Sequence, residues 1–344
     1  MCMHKSAPVG EVTPAMADGH GALLVSAARM YYLEGMGQSE IADIFGVSRS
    51  TISRLLTTAR DRGIVRISVD EYDPQHHELE RQLVAAYGLK HAIVVRSIEG
   101  HDANIRRAVG YFAAKLVSCW IRSAGSVGVA GGRTLGQLIN FVEPQPHDDH
   151  LNVVQLMGTI GSAPSSVDAS ELSRTLARRF HGAFHTINAP AYMDDTRSRN
   201  ALLSHGQMRS VWEMFPSLDL TLVGIGSLED SVFAERRVIA PHDVQALRAA
   251  GAVGEICGRF YDARGRECVT PMQDRVISIE LDTLRAGKEV VAITSGTSRR
   301  HAINAALRSG LVHSLVIDDR GADAVLALAS SSSVAVPGLA AIAG

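Results

Sequence analysis

QSEIADIFGVSRSTISRLLTTAR, from Gln38 to Arg60, sets its apolar, small and turn residues where two short helices must cross at a steep angle. Ile41, Ala42 and Phe45 mark the inner face of a first helix. Gly46 ends it, because glycine takes a left-handed conformation without a Cβ penalty. Val47 fills the corner. Ser48 is placed to N-cap a second helix, whose Ile52, Leu55 and Leu56 recur at i, i+3 and i+4 and face inward. Arg49, Ser50, Thr51, Ser53 and Arg54 then point outward. Such a face suits a DNA major groove, where arginine forks onto guanine and backbone N–H groups hold phosphate, with Gln38 and Ser39 against the DNA backbone. A generic helical hairpin also has a polar outer face, but it does not require Ala42, Gly46, Val47, Ile52 and Leu55 together at these offsets.

On the N-terminal side, His20 onward forms a helix whose Leu23, Leu24, Ala27, Tyr31 and Leu33 close over the pair, making a three-helix unit over residues 20–70. Residues 1–19, rich in Gly, Pro and small polar side chains, read as a disordered arm. On the C-terminal side Gly63 ends the recognition helix, and Ile64 to Val69 alternates at the β period, predicting a short strand or wing. Arg66 on that wing either touches the DNA backbone or is a solvated arginine. Residues 71–88 comprise a Pro74-containing linker and a connecting helix with Leu79, Leu83 and Ala86 on one face, closed by Gly88.

The 344 residues exceed one ordinary core and imply two or three domains. A formal net charge of −2 gives no overall basic character, so any nucleic-acid contact must be local. It is local here: Arg49, Arg54, Arg60, Arg62 and Arg66 fall in one short stretch with a single acid, Asp61. The four cysteines, Cys2, Cys119, Cys257 and Cys268, show no paired spacing and read as reduced thiols of a cytoplasmic protein. No stretch has the length and apolarity of a membrane span, and residues 1–19 lack a signal-peptide core.

From residue 89 to 329 the pattern becomes alternating β and α units. Strands are expected at 92–95, 126–130, 153–157, 184–187, 220–225, 276–279, 290–294 and 314–317, with helices such as 105–121, 170–180, 207–215 and 299–308 between them. Near-continuous apolar strands separated by helices predict an α/β, doubly wound, mostly parallel sheet covered on both faces. Residues 330–344 read as a flexible tail.

In open α/β sheets ligands sit beyond the carboxyl ends of the strands. Three turns there carry the chemistry for an anionic, hydroxylated small molecule. In VGVAGGRT the amides of Gly131 and Gly132, the Thr134 hydroxyl and the Arg133 charge can cradle phosphate. Gly224 and Gly226 end another strand. Thr294 to Arg299 supplies Gly296, the hydroxyls of Thr297 and Ser298, and the Arg299 cation. Gln155, Asp262 and Asp318 are candidates to bond ligand hydroxyls. Asp262 also reads as an exposed loop aspartate, and Asp318 as a helix N-cap. His147, Asp148, Asp149 and His150 have ligand-type side chains, but in a proline-flanked polar loop they read as solvated, and no metal or cofactor is expected.

The helix-turn-helix followed by VGVAGGRTL, VVQLMGTIG, INAPAY, LTLVGIGSLED, GAVGEICGRFYDARG and TSGTSRRHAINAALRSG with LVIDD resembles the SorC family of bacterial transcriptional regulators over about residues 21–328. The resemblance implies an effector domain similar to sugar-phosphate isomerases and glucosamine-phosphate deaminases, binding a phosphorylated sugar or polyol. It implies that Gly131, Gly132, Arg133 and Thr134 form the first phosphate loop and that Gly296 and Arg299 belong to the second. It also implies a homo-oligomer, a dimer or tetramer. The chain departs from the family at Arg299, where lysine is usual, at Glu255, where aspartate is usual, and at Ile317, where threonine is common. The expected function is ligand-controlled operator binding at a palindromic site, not catalysis. An isomerase or deaminase with an accessory DNA-binding segment is the rival reading, with Asp262 or Asp318 as its base.

Overall fold

Gly46 adopts the left-handed conformation (φ 62°) at the C-terminus of one helix, and the chain turns there into the next. The computed structural model describes residues 19–68, 72–97, 100–144, 151–163 and 165–333. It divides into two compact units, Met1–Tyr72 and Asp73–Gly344. The expected arm and most of the tail, together with His147 to His150, lie outside the described residues.

The first unit holds α1 (Gly19–Tyr32), α2 (Gln38–Phe45) and α3 (Arg49–Asp61). Leu24, Ile41, Ile52, Leu55 and Leu56 pack with Ala27, Ala28, Ala42 and Ala59 into one small core, with Phe45 and Val47 against its edge. Ser48 caps α3, its Oγ accepting from the Thr51 N–H at 3.1 Å. Two expectations fail. Leu33 lies beyond the end of α1 and is 76% exposed, so it closes nothing. Residues 64–68 form no strand: only Val65 returns to the helices, its N–H bonding Ala59 O at 3.1 Å, and an alternating stretch with no partner strand has nothing to pair with.

The second unit opens with α4 (His77–Tyr87), whose Leu79 and Leu83 are buried in the same core as the sheet, so the expected connecting helix belongs to this unit. Next come β1 (His91–Val95), α5 (Asp102–Arg122), β2 (Ser126–Val129), α6 (Arg133–Phe141), β3 (Asn152–Gln155), α7 (Ala169–Arg179) and β4 (Ala183–His185). The chain continues through α8 (Thr196–Leu203), α9 (Gly206–Trp212), β5 (Leu220–Val223), α10 (Val232–Arg236) and α11 (Pro241–Ala249). It then forms β6 (Gly254–Ile256), β7 (Arg259–Tyr261), α12 (Leu281–Arg285), β8 (Val290–Ile293), α13 (Arg300–Arg308), β9 (Ser314–Asp318) and α14 (Asp319–Ser333).

Seven strands form one parallel sheet in the order β1-β9-β8-β5-β2-β3-β4. The strands LTLV of β5 and VVAI of β8 are buried throughout, as a sheet covered on both faces demands. From β2 the chain proceeds to β3 and β4 in one direction. From β5 it proceeds to β8 and β9 in the other, so the order reverses between β2 and β5. At the sheet's edges, β4 has three residues and pairs only with β3, while residues 74–76 lie along the outer side of β1 (His76 N to Val94 O, 2.7 Å).

Two features depart from the sequence reading. Residues 276–279 form no strand of the sheet but touch other segments at single bridges, Val276 with Tyr192 and Ser278 with Met157. The segment GEICGRFY folds into an antiparallel hairpin, β6 with β7, turning on Cys257 and Gly258, both with positive φ (54° and 78°). That turn is the two-residue type that matches strand twist.

Candidate functional site

Because β8, β5 and β2 are neighbours, the turns that follow them emerge side by side at the carboxyl end of the sheet, at its topological switch point. Gly131, Gly132, Arg133, Thr134, Gly224, Gly226 and Arg299 all line one cleft there. The β6–β7 hairpin forms its far wall. Gly226 N donates to Glu255 O at 3.0 Å and Glu255 N to Gly226 O at 2.9 Å, and a Cβ on Gly226 would stand 2.3 Å from the Glu255 carboxylate. Gly226 is therefore required by close approach. The space between these walls is narrow, with about 40 Å³ open to the centre of a water molecule.

Two cations meet in the cleft. Arg299, only 9% exposed, gives Nη2 to Ser295 O at 2.8 Å, while its Nε has no hydrogen-bond partner. Burial pulls its pKa down against the opposing pull of Asp230. Arg133 pairs with Asp230 and, at 3.5 Å, with Glu235. Thr134 Oγ1 lies 3.2 Å from Ser295 Oγ, joining the first and third turns. Ser298 donates to Asp230 at 2.7 Å, but Thr297 and Ser298 are exposed, and none of Gly296, Thr297 and Ser298 lines the cleft.

Three candidates go elsewhere. Gln155 is fully buried and spends its amide on its neighbours: Nε2 donates to Met157 O (2.7 Å), and Oε1 accepts from Ile187 N and Thr186 Oγ1 (both 3.0 Å). Asp318, also fully buried, accepts from Gly296 N (2.5 Å) and Gly321 N (3.0 Å), so it shapes the 296 turn from beneath and caps α14. Asp262 is tied to Arg266 at 2.7 Å in a hairpin turn. All three do structural work that leaves no carboxylate or amide free for the cleft.

The sequence reading assigned no role to Asp230. Its signal was faint, an acid in GSLED after a strand, and its partners lie 97 and 68 positions away. Burial alone would raise its pKa, but Arg299, Ser298 and Arg133 outweigh that and hold it below the ordinary carboxylate value.

Glu255 behaves oppositely. Burial pushes its carboxyl up to about 7, with only the Gly258 N–H (2.9 Å) and the Arg299 charge pulling down. The folded protein then binds more protons than the unfolded chain between the ordinary glutamate value and 7, so stability falls as pH rises through that window. Glu255→Gln, which keeps an oxygen for Gly258, is expected to raise the melting temperature by about 3–8 °C at pH 8 and to change it little at pH 4.5. Equal shifts at both pH values in thermal melts would rule out the buried charge as their cause.

In the first unit, Arg49 and Arg54 are exposed on α3, and neither guanidinium is paired among the described residues. Ser53 is exposed beside them. Ser48, Ser50 and Thr51 cluster at the helix start, with Ser48 Oγ 2.7 Å from Ser50 Oγ and 2.9 Å from Thr51 Oγ1. Gln38 and Ser39 begin α2, and Arg66 sits exposed in the irregular segment after α3. The geometry is a cationic, hydroxyl-rich helix N-terminus open to solvent.

Comparison with known proteins agrees with both halves. Residues 74–327 match the family described as "Putative sugar-binding domain", and residues 29–62 match sigma-70 region 4. The sorbitol operon regulator of Klebsiella pneumoniae is 29% identical over 306 residues, covering 88% of this chain and 97% of that protein. The deoxyribonucleoside regulator of Bacillus subtilis is 28% identical over 304 residues, covering 88% and 97%. The crystal structure of the full-length Klebsiella regulator superposes with a TM-score of 0.68 over 89% of this chain and 98% of that one. A chain with this pair of matches, this sheet and this helix-turn-helix belongs to the SorC family of bacterial transcriptional regulators, with a DNA-binding region and a sugar-binding domain.

Proposed function

We propose that the protein regulates genes of carbohydrate or polyol metabolism, and that a phosphorylated sugar or polyol bound in the cleft controls its hold on a palindromic operator as a homo-oligomer. The observation that carries this reading is the convergence of Arg133 and the buried Arg299 with the Gly131–Gly132 and Gly224–Gly226 turns at the switch point of the sheet. The Gly132, Gly226 and Gly296 amides are taken by Val167 O, Glu255 O and Asp318, but a buried cation beside the N-terminus of α6 still favours an anion, and the flanking hydroxyls and Glu255 favour a ligand rich in hydroxyl groups. The relatives named for sorbitol, deoxyribonucleosides and erythritol fall in the same chemical range. Neither Asp262, bonded to Arg266, nor Asp318, bonded to Gly296 and Gly321, lines the cleft, which weighs against the isomerase alternative.

The effector can move the DNA equilibrium only by the difference in its affinity for the binding and non-binding arrangements. Gel-shift titration of an operator fragment with matched phosphorylated and unphosphorylated polyols tests this. Operator affinity should respond to a phosphorylated member of the panel and not to its unphosphorylated twin; indifference to all of them would defeat the proposal. On the DNA side, Arg54→Ala is expected to cost ~1–3 kcal/mol and to relax preference at one base pair if Arg54 reads an edge bidentately. Uniform weakening across a randomised operator library would assign it to phosphate instead.

A further inference from the structure

The two arginines that line the cleft already share a carboxylate from the protein itself. Asp230 reaches two separate segments: Arg133 at the start of α6, and, just before α13, the adjacent Ser298 (2.7 Å) and Arg299, whose Nε lies 3.5 Å from Asp230 Oδ2. It is delivered by a tight turn in which Ser227 N bonds Asp230 O at 3.1 Å and Asp230 N bonds Ser227 Oγ at 3.0 Å. The carboxylate side chain is 31% exposed, so solvent reaches the group that holds both cleft arginines. The Arg299 Nε has no hydrogen-bond partner among the described residues, so Asp230 holds it by charge across 3.5 Å and no closer.

We propose that Asp230 is a tethered stand-in for the anionic group of the effector, and that the effector binds by exchange: its phosphate takes Arg133, Ser298 and Arg299, and the 227–231 turn is released. This inference rests on reading the cleft as an anion site.

The physical argument is one of competition. A carboxylate on a short tether competes at an effective concentration in the millimolar range or above, and an incoming anion sees its affinity reduced by the fraction of sites so occupied. A monoanionic carboxylate gains little by replacing another carboxylate. A phosphate dianion brings a second charge and a third oxygen, which can hydrogen-bond the Arg299 Nε that Asp230 leaves at 3.5 Å. Asp230 is thereby a specificity-determining residue, favouring phosphate esters over sugar acids. Leaving Asp230 in place beside a bound dianion would instead set two like charges on the same guanidinium groups, so retention and exchange predict opposite local motions.

The test uses full-length wild type and Asp230→Asn, with inorganic phosphate and gluconate as probes. Thermal melts establish that the variant is folded, and Asp230→Ala serves as a second variant. Calorimetry should show phosphate binding both variants about tenfold more tightly than wild type. Gluconate should bind the variants and not the wild type. Hydrogen exchange should show phosphate slowing residues 131–134 and 295–299 of the wild type while accelerating 227–232. In Asp230→Asn the 227–232 segment should be fast from the outset. Unchanged or weaker phosphate binding by the variants, or protection of 227–232 on phosphate binding to wild type, would overturn the exchange while leaving the anion site intact. Failure of all three proteins to bind phosphate would remove the anion site itself, and the exchange with it.

Discussion

Ile52→Ala is expected to abolish operator binding while leaving the second unit folded. Ile52 is fully buried in a core whose other large, buried side chains among the described residues are Leu24, Ile41, Leu55 and Leu56, the remaining buried positions being alanine. Truncating a buried isoleucine typically costs ~2–5 kcal/mol through lost transfer energy and the residual cavity. Globular domains hold only ~5–15 kcal/mol in all, and a unit of three short helices sits low in that range. The loss therefore falls on a unit with little to spare. Scanning calorimetry should show the transition of the first unit displaced downward or missing, with that of the sheet-containing unit unmoved. Retention of wild-type operator affinity by this variant would mean that α3 is not held by its Ile52 face, and the recognition-helix assignment would fall.

Arg299→Met is expected to weaken phosphate binding at least about thirtyfold. The side chain is buried and its Nη2 is anchored on Ser295 O at 2.8 Å, so the charge is held in place before any ligand arrives. Removing one partner of a buried, hydrogen-bonded charge pair typically costs ~2–5 kcal/mol, and each 1.4 kcal/mol is tenfold in affinity. Methionine preserves much of the apolar stem, so packing changes little. Arg299→Lys should recover part of the loss, since an ammonium restores the charge but cannot span Ser295 and the ligand as the planar fork does. Calorimetric titration with inorganic phosphate decides the matter: undiminished binding by Arg299→Met would place the anion elsewhere.

The helix-turn-helix was legible because its determinants are local. Gly46, Ser48 and the Ile52, Leu55, Leu56 stripe act on residues within one or two turns, and the caps form where the side-chain chemistry places them. The parallel sheet was legible from strands such as LTLV and VVAI, apolar along their whole length. What the sequence could not order was the strands themselves. That β5 lies between β8 and β2, bringing three glycine turns together, is a property of the assembled sheet.

The same limit explains the misplaced residues. Gln155 and Asp318 are polar groups at strand ends, and from sequence alone a group that will face a ligand looks the same as one that will satisfy buried backbone. The wing failed for the converse reason, since alternation in Ile64 to Val69 specifies a face but not a partner. The Cys257-Gly258 hairpin hid behind a cysteine in a position usually marked by asparagine or aspartate. Asp230 was overlooked because nothing within ten residues reveals that two arginines from remote segments will converge on it.

The two margins of the sheet bear on the protein's life in a crowded cell. A row of bare amides and carbonyls invites strangers to add strands without end. At one margin β4 offers three residues, too brief a template to seat an intruder, and at the other Pro74 to His76 already shadow β1, with proline contributing no donor of its own. Its shortest strand and its plainest segment thus guard the sheet against fibrous self-association.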